Sequence, residues 1–502
     1  MWMSPPWELD VWQLLLSAAL VLLAYRTYDR KYGKYSNLPP CVPGWPVFGN
    51  TFQIRGFPYL HLDLAELSKT YGDIFTITYF GQRLIWINSG ELLSNMVDND
   101  VFPSITVADY GMRRLSYDCD DVGYRESGLT HRQLRTTVMS ALSDCESQQA
   151  LLEEEALKLV NILLASEEKS VCVSHEIKKS IGNVLTVSLL GKQYNDEEME
   201  KMLELGQMID LVSTPGFGAE LNYIPVLRWL PFKSMKHLQA TEKLRSEYVD
   251  QEFEKAKARF DPENVHCIVH KVLELVQRKG ATMPSLTDRT VKGVMVDMYQ
   301  AGWSTTSSVL NGLVIVLLNK PEVQRQIQKE VDSVIGSGKV PTLKDREEMP
   351  YIQGFIAEGL RLFSVVSSSG TRTSHNDVHY RGYFIPKDTA VLYNYWAANH
   401  DPEVFEEPWS FRPDRYLDEV GQILPPGHLI WKRSVPFGVG RRNCLGQAFA
   451  RDRLFIYIAI LMQRVTFLPL EGAQLPSYDP RTFEHALVVN PPPFQARVTP
   501  RD

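Results

Sequence analysis

Apolar residues recur at helical spacing over most of the chain. Tyr59 to Tyr71 and Glu146 to Arg278 place apolar residues three to four positions apart, as on the buried face of an amphipathic helix. The longest run extends from Thr287 to Leu318, with Thr287 as the predicted N-cap and Pro321 as the stop. We therefore predict a helix of on the order of 48 Å here, long enough to cross a large domain.

Strand-like patterns are short by comparison. Residues 75–80 and 84–88 are rich in β-branched and aromatic side chains, and Gly81-Gln82 between them predicts a hairpin. Helical patterns return up to Val334 and over Tyr351 to Phe363, and we find no internal repeat. The sequence predicts a mainly α fold with small β-sheets, in a single large domain.

The N-terminus carries the one membrane signal. Leu9 to Tyr25 is apolar apart from three polar positions and would form a helix of about 25 Å, close to the roughly 30 Å of a bilayer core. A cleaved signal peptide is the rival interpretation, but no cationic segment precedes the apolar run. The basic residues follow it, at Arg26, Arg30, Lys31 and Lys34. We expect an uncleaved anchor with the main body in the cytoplasm.

The chain divides into three parts on this basis. Residues 1–35 form the anchor with its basic flank, residues 36–50 form a stiff proline-rich hinge, and residues 51–502 form the main domain. With 502 residues, 44% of them hydrophobic, the chain can build a large core. A net charge of −7 and the lack of a basic block argue against nucleic-acid binding. The six cysteines are scattered, which favours a reducing compartment.

One cysteine stands in an unusual setting. Cys444 lies in the run Phe437-Gly438-Val439-Gly440-Arg441-Arg442-Asn443-Cys444-Leu445-Gly446. A bare cysteine in a glycine-rich turn is usually just buried, and a single cysteine cannot supply the four ligands of a structural zinc site. It can supply the one axial ligand of a haem iron. Arg442 would then bind a haem propionate.

The run resembles the haem-binding loop F-x-x-G-x-R-x-C-x-G of the haem-thiolate monooxygenases, the cytochrome P-450 superfamily. The resemblance implies haem b as cofactor, with Cys444 as the iron ligand. It also implies that Phe437, Gly438 and Gly446 belong to the haem-binding loop. The likeness covers essentially the whole chain and is greatest to eukaryotic membrane-bound members, in particular the animal branch of steroid and xenobiotic hydroxylases.

A second motif is implied to hold this loop in place. Glu358 and Arg361 stand three residues apart, so a helix brings them to one face. Alone, such a pair is usually a surface ion pair of little energetic value. In the family, E-x-x-R is buried near the haem and joins a third residue downstream. Phe411-Arg412-Pro413-Asp414-Arg415-Tyr416 would supply Arg415 for that role, and we expect this network to be structural.

Further propionate contacts are implied at two places. Arg372 occupies the position where the family commonly has Arg or His, although alone it would be a charge at a strand edge. His131 and Arg132 match the helix that contacts the second propionate. The tryptophan that usually stands four residues before that arginine is missing, and Gly128 stands there.

The long helix carries Ala301-Gly302-Trp303-Ser304-Thr305-Thr306, which resembles the family pattern [AG]-G-x-[DE]-T-[TS] over the haem face. Ala301 would leave room at the haem, and Thr305 would help deliver protons. Hydroxyl groups on helices also bond back to the preceding turn. The sequence departs from the pattern at Ser304, where an acid is usual, and we expect Ser304 with a water molecule to replace it.

Three functions remain open on these residues. The first is a monooxygenase that inserts oxygen into a lipophilic small molecule, such as a steroid, fatty acid, terpene or xenobiotic. It would sit in the endoplasmic reticulum membrane, with electrons from an NADPH-dependent flavin reductase and with cytochrome b5 as a further candidate partner. The second is a haem-thiolate isomerase or dehydratase that needs neither dioxygen nor reductase, and the third is a non-catalytic haem protein. The expected substrate pocket is mostly apolar, with Val107, Met298, Ala301, Val365, Val366 and Leu487.

The segment between Tyr223 and Phe232 is apolar and broken by prolines. It resembles the substrate-access region of the family, which dips into the bilayer. A buried connection between two helices is the alternative.

Overall fold

The protein is described here from a computed structural model. It describes residues 17, 21, 37–46, 48–54, 59–96, 101–105, 109–143, 145–165, 171–214 and 216–501. Apart from positions 17 and 21, the expected anchor at residues 9–25 lies outside the described residues, as does Val107.

Helices make up most of the described chain. The α-helices are α1 (Leu60–Tyr71), α2 (Gly90–Asn95), α3 (Tyr110–Leu115), α4 (Leu129–Leu142), α5 (Cys145–Leu164), α6 (Val173–Leu190), α7 (Asp196–Val212), α8 (Ala219–Tyr223), α9 (Lys233–Ala258), α10 (Ile268–Lys279), α11 (Asp288–Ala301), α12 (Ser304–Asn319), α13 (Pro321–Val334), α14 (Pro350–Phe363), α15 (Tyr395–Asn399), α16 (Leu429–Arg433) and α17 (Gln447–Arg464). Short 3₁₀ turns include Pro225–Trp229, Pro413–Tyr416 and Gly440–Arg442. The expected mainly α class is confirmed.

The strands are short and form small sheets. They are β1 (Ile74–Tyr79), β2 (Gln82–Ile87), β3 (Ser104–Ile105), β4 (Arg372–Thr373), β5 (Val378–Tyr380), β6 (Tyr383–Ile385), β7 (Ala390–Tyr393), β8 (Val465–Leu468), β9 (Glu484–His485), β10 (Val489–Asn490) and β11 (Arg497–Pro500). Five of them make one sheet in the order β1-β2-β7-β4-β3, in which only β2 and β7 run parallel. The expected hairpin is β1–β2, and Gly81 in its turn adopts a φ of +81°.

The described part of the proline-rich hinge is attached to this sheet. The Thr76 N–H donates to the Pro40 carbonyl at 2.7 Å, and the Val42 N–H donates to the Thr76 carbonyl at 2.9 Å. Val42 is buried against Phe75 and Ile77. The hinge therefore enters the main domain along the outer edge of β1.

The core lies among the long helices. Helices α5, α6, α12, α14 and α17 pack on one another, and α12 is buried on nearly every side. The run Asp288–Asn319 is long and apolar enough to cross a membrane, but 83% of its most apolar part lies inside the protein. By its burial it is the central core helix of the domain.

The expected single helix from Thr287 to Leu318 is interrupted. Helix α11 ends at Ala301 and α12 begins at Ser304. The Arg453 guanidinium donates to the Gly302 carbonyl at 2.7 Å, and the Thr305 hydroxyl donates to the Ala301 carbonyl at 2.8 Å. Because side chains take carbonyl groups that a continuous helix would bond internally, the two segments separate here.

A buried ion-pair network joins α14 to the segment after it. The Glu358 carboxylate accepts two hydrogen bonds from Arg361, at 2.7 and 2.8 Å, and one from Arg415 at 3.2 Å. The Arg412 backbone N–H donates to the same carboxylate at 3.1 Å. The side chains of Glu358 and Arg361 are fully buried, and that of Arg415 is 6% exposed.

This network continues toward the loop that carries Cys444. Arg361 donates to the Asn399 carbonyl at 2.9 Å. The Asn399 side chain in turn accepts a hydrogen bond from the Val435 N–H at 2.8 Å. Val435 begins the turn that leads into Phe437 and the cysteine loop. The ion pairs therefore position the loop as well as the helix.

Replacing Glu358 by alanine should leave two guanidinium groups buried without their carboxylate. Such a loss costs roughly 3–5 kcal/mol, so we expect Glu358→Ala to yield little haem-loaded, thermally stable protein. Haem content and melting temperature are the measurements. The exposed Glu347 of the preceding turn serves as control, and Glu347→Ala should behave like the wild type. A Glu358→Ala protein with normal haem content and normal melting temperature would refute the structural role.

Candidate active site

Cys444 lies at the end of a glycine-rich turn that precedes α17. The Cys444 N–H donates to the Phe437 carbonyl at 2.9 Å, which closes the turn. Gly438 and Gly440 adopt φ values of +70° and +72°, which L side chains rarely adopt. A Cβ at Gly438 would also lie 2.6 Å from the hydroxyl of Tyr395. The glycines therefore let the turn fold tightly and present the sulfur.

The Cys444 thiol is exposed to an internal cavity although it lies deep inside the protein. Burial raises the pKa of this thiol. The Gly446 N–H, which hydrogen-bonds the sulfur, and the positive charges of Arg135 and Arg453 act in the opposite direction. These groups favour the thiolate, the form of cysteine that binds metals.

The cavity has a volume of about 380 Å³ and extends from Cys444 to the junction of α11 and α12. Ala301 is exposed to it, although α11 is otherwise buried around that position. The expected pocket residues that line it are Met298, Ala301, Val365, Val366 and Leu487. Phe437 and Gly446 also line it, and a Cβ on Gly446 would meet no atom within 4 Å. Space is therefore open beside the sulfur.

Two of the expected propionate arginines lie at the cavity wall. Arg372 is 2% exposed, and neither its Nε nor its Nη1 has a hydrogen-bond partner among the described residues. Arg442 donates to the Nε2 of His131 at 2.6 Å and to the Ser127 hydroxyl at 3.0 Å. Burial lowers the pKa of His131 to about 4, and the charges of Arg442 and Arg135 add to this effect. Neutral His131 can therefore accept the hydrogen bond and orient Arg442.

Helix α4 brings a different arginine to the cavity from the one expected. Arg132 is exposed and does not line the cavity, whereas Arg135 lines it and donates to both the carbonyl and the side-chain oxygen of Asn443 at 2.8 Å. The sequence contained a signal for Arg135. His131 stands four residues before it, which is the spacing expected between the missing tryptophan and the arginine.

These residues fit a haem. One cysteine sulfur faces the cavity, as a single axial ligand requires. Four arginines line the same cavity, and the unpartnered nitrogens of buried Arg372 need an anion. A haem propionate meets that need. Cys444, Arg135, Arg372 and Arg442 are thus the residues that would hold the group.

The hydroxyl groups at the start of α12 point in two directions. Thr305 lines the cavity, whereas Ser304 does not. Ser304 is 2% exposed, its hydroxyl donates to the Gln300 carbonyl at 3.3 Å, and it lies close enough to the Asp210 carboxyl of α7 to interact with it. Burial raises the pKa of Asp210 to about 8, against the lowering effect of the Ser304 hydroxyl. A carboxyl group therefore does stand beside position 304, but it comes from the neighbouring helix.

The cavity also has a polar part, which the sequence alone does not bring together as one site. Tyr124, Asp297 and Gln300 also line the cavity, and the last two belong to the C-terminal turns of α11. Tyr124 lies in the irregular segment before α4, where no periodic pattern could place it. We call these three residues the polar corner.

Comparison with known proteins agrees with this geometry. Residues 39–498 match the family model described as Cytochrome P450. The chain is 30% identical to a steroid 17-alpha-hydroxylase/17,20 lyase from Gallus gallus, over 93% of this chain and 94% of that protein. It is 28% identical to cytochrome P450 1A1 from Canis lupus familiaris, over 97% and 95%, and 28% identical to cytochrome P450 1A1 from Platichthys flesus, over 86% and 85%.

Arg135 and Arg132 offer a matched pair for testing the cavity wall. We expect Arg135→Ala to lose haem to apomyoglobin about tenfold faster than the wild type, because a charge-assisted hydrogen bond is lost. Arg132→Ala should lose haem at the wild-type rate, since Arg132 is outside the cavity. Equal rates for the two variants would show that Arg135 does not hold the haem.

Proposed function

The chain belongs to the cytochrome P450 family, and on that premise we propose that it oxidises a lipophilic small molecule at the endoplasmic reticulum membrane. As a member of the family it is a monooxygenase, and its cofactor is protoporphyrin IX haem with a cysteine thiolate on the iron. The observation that carries the proposal is the Cys444 sulfur facing a largely apolar cavity. We assign the iron ligand to Cys444.

The haem, when bound, would supply the redox chemistry of oxygen activation, for which a thiolate ligand is suited because it favours cleavage of the O–O bond. The chain contributes the surroundings. The Gly446 N–H and the cationic Arg135 and Arg453 stabilise negative charge on the sulfur. Arg372 and Arg442 line the cavity and would orient the ring through its carboxylates.

Thr305 is the residue that we assign to proton delivery. Its hydroxyl lies at the cavity wall and is held by the Ala301 carbonyl at 2.8 Å. That hydrogen bond leaves the lone pairs of Oγ1 available to a water molecule in the cavity. Ser304 would act behind it, through its hydroxyl and the adjacent carboxyl of Asp210.

The cavity wall favours a lipophilic substrate. Met298, Val365, Val366 and Leu487 present apolar surface, and burial of a matching ligand is favourable in proportion to the area removed from water. A steroid, fatty acid, terpene or xenobiotic would meet this description. We propose an NADPH-dependent flavin reductase as the electron donor, with cytochrome b5 as a second donor.

Two features support attachment to a membrane. The apolar run Leu9 to Tyr25 has the length and flanking charge of an uncleaved anchor with the main domain in the cytoplasm. The segment after α8 exposes large apolar side chains, namely Val226, Trp229, Leu230 and Phe232. These would lie in the bilayer surface, as substrate access from the membrane requires. Protease digestion of the main domain in intact microsomes tests this orientation, and protection of that domain would contradict it.

The role of Thr305 can be tested by measuring how tightly NADPH consumption is coupled to product formation. With reductase and a substrate, Thr305→Ala should continue to consume NADPH while product per NADPH falls by about tenfold or more and hydrogen peroxide rises. Ser304→Ala should uncouple in part. Ser307→Ala is the control, because Ser307 is buried, bonds the Ser304 carbonyl at 3.1 Å and does not line the cavity. If neither Thr305→Ala nor Ser304→Ala changes the amount of product formed per NADPH consumed, a peroxide-rearranging or non-catalytic haem protein becomes the better account.

A further inference from the structure

We infer that the polar corner of the cavity binds a hydrogen-bond donor of the substrate, a hydroxyl or an amine, through the free carboxylate oxygen of Asp297. This inference rests on the proposed function, because it concerns the same cavity. It adds the chemical class of the substrate's polar group.

Asp297 is fixed to the cavity wall by one oxygen only. The backbone N–H groups of Val122 and Gly123 both donate to Oδ2, at 2.8 and 3.0 Å. Oδ1 accepts no hydrogen bond from the described residues, although the residue is 7% exposed and lines the cavity. Because no described residue donates to Oδ1, this acceptor atom is available to a ligand in the cavity.

The carboxyl group also lacks a cationic partner. No lysine or arginine among the described residues forms an ion pair with Asp297, and its charge is opposed only by the two backbone N–H groups. Burial raises the pKa of Asp297. A buried acceptor of this kind is costly to leave unpaired, so a ligand that donates to it gains more than it would from the apolar walls alone.

A second buried acid determines which form Asp297 takes. Asp121 is fully buried, and burial together with the charge of Asp297 raises its pKa. Two buried carboxyl groups in electrostatic contact do not both ionise, and one retains the proton. Each of the two carboxyl groups accepts two backbone N–H groups on one oxygen, and those on Asp121 come from Tyr124 and Arg125. Asp297 faces the cavity, whereas Asp121 is fully buried, so we assign the negative charge to Asp297 and the proton to Asp121. A negative Asp297 accepts hydrogen bonds and cannot donate them.

Gly123 keeps the free oxygen accessible. A Cβ at position 123 would lie 3.0 Å from Oδ1, closer than most side-chain contacts. The backbone of Gly123 does not require glycine by its φ angle. The missing side chain instead leaves room beside Oδ1, where a ligand hydroxyl would fit.

The position of the corner sets the shape of the ligand. Asp297 precedes Thr305 by about two helical turns, which is on the order of 12 Å along the helix axis. A substrate that donates to Asp297 would therefore extend along α11 and present its other end near Thr305 and Cys444. The inference thus predicts an elongated lipophile, with its donor group and its oxidised carbon at opposite ends.

The test uses the ferric, haem-loaded full chain and four probes of equal length. They are para-ethylbiphenyl, para-hydroxymethylbiphenyl, para-methoxybiphenyl and para-aminomethylbiphenyl, and the change in Soret absorbance gives each dissociation constant. We expect the hydroxyl probe to bind about tenfold more tightly than the methoxy probe, which can accept a hydrogen bond but not donate one. The aminomethyl probe separates neutral from cationic donors. If the aminomethyl probe binds more tightly than the hydroxyl probe, the corner prefers cations, and if it binds more weakly, the corner prefers alcohols. This comparison holds only if the Soret band shows no red shift with the aminomethyl probe, because such a shift would mean that its nitrogen binds the iron.

The decisive variant is Asp297→Asn. The amide must turn its oxygen toward the N–H groups of Val122 and Gly123, which places its NH₂ group in the cavity. The preference should then invert, with the methoxy probe bound more tightly than the hydroxyl probe. Gly123→Ala should weaken the hydroxyl preference without inverting it. Glu330→Gln is the control, since Glu330 also accepts two backbone N–H groups, from Tyr351 and Ile352, and does not line the cavity.

Failure of this inference differs from failure of the proposed function. Equal dissociation constants for the hydroxyl and methoxy probes in the wild type would overturn the inference, as would an Asp297→Asn protein with the wild-type preference. A lack of any Soret change with all four probes would also overturn it. In each case a normal thiolate-type carbonyl spectrum would leave the proposed function intact, whereas loss of that spectrum in the wild type would contradict the proposed function itself.

Discussion

The carboxylate of Glu358 lies fully buried between the guanidinium groups of Arg361 and Arg415, and the presentation of Cys444 depends on it. One carboxylate with two arginines leaves a positive charge in the core, which the Asn399 carbonyl helps to satisfy through Arg361. Asn399 then fixes Val435, from which the cysteine loop departs. Burying these charged groups costs desolvation free energy, but their hydrogen bonds fix α14, the 3₁₀ turn Pro413–Tyr416 and the cysteine loop relative to one another. A loop of glycines has little stiffness of its own, so its geometry must come from such contacts.

The wall of the cavity formed by α11 and α12 contains a break in the helical hydrogen bonding. Arg453 and Thr305 take the carbonyl groups of Gly302 and Ala301, and α11 separates from α12 at this point. The break exposes Ala301 and Thr305 to the cavity while Ser304 turns toward Asp210. Arg453 also lies near Cys444, so one buried cation connects the break to the sulfur. The two walls are therefore coupled through the first turns of α17.

Much of this could be predicted from the sequence because the signals are local. The spacing around Cys444, the pair at Glu358 and Arg361, and the hairpin at Gly81 each depend on a few neighbouring residues. The break at Gly302 could not be predicted, because its cause is Arg453, some 150 residues away along the chain. Arg135 was missed because Arg132 shares its charge, and only the helix orientation decides which one faces inward. The polar corner could not be predicted as one site for a similar reason. Asp297 is recognisable only when the backbone of residues 122 and 123 is seen to hold one of its two oxygens.

The central claim is that Cys444 is the thiolate ligand of a haem. The most direct measurement is the absorbance spectrum of the ferrous carbonyl complex for the wild type, Cys444→His and Cys172→Ser. The account predicts a red-shifted Soret band of the thiolate type in the wild type and in Cys172→Ser, whose sulfur does not line the cavity, and loss of that band in Cys444→His. A Cys444→His protein that retains the thiolate-type band would contradict it.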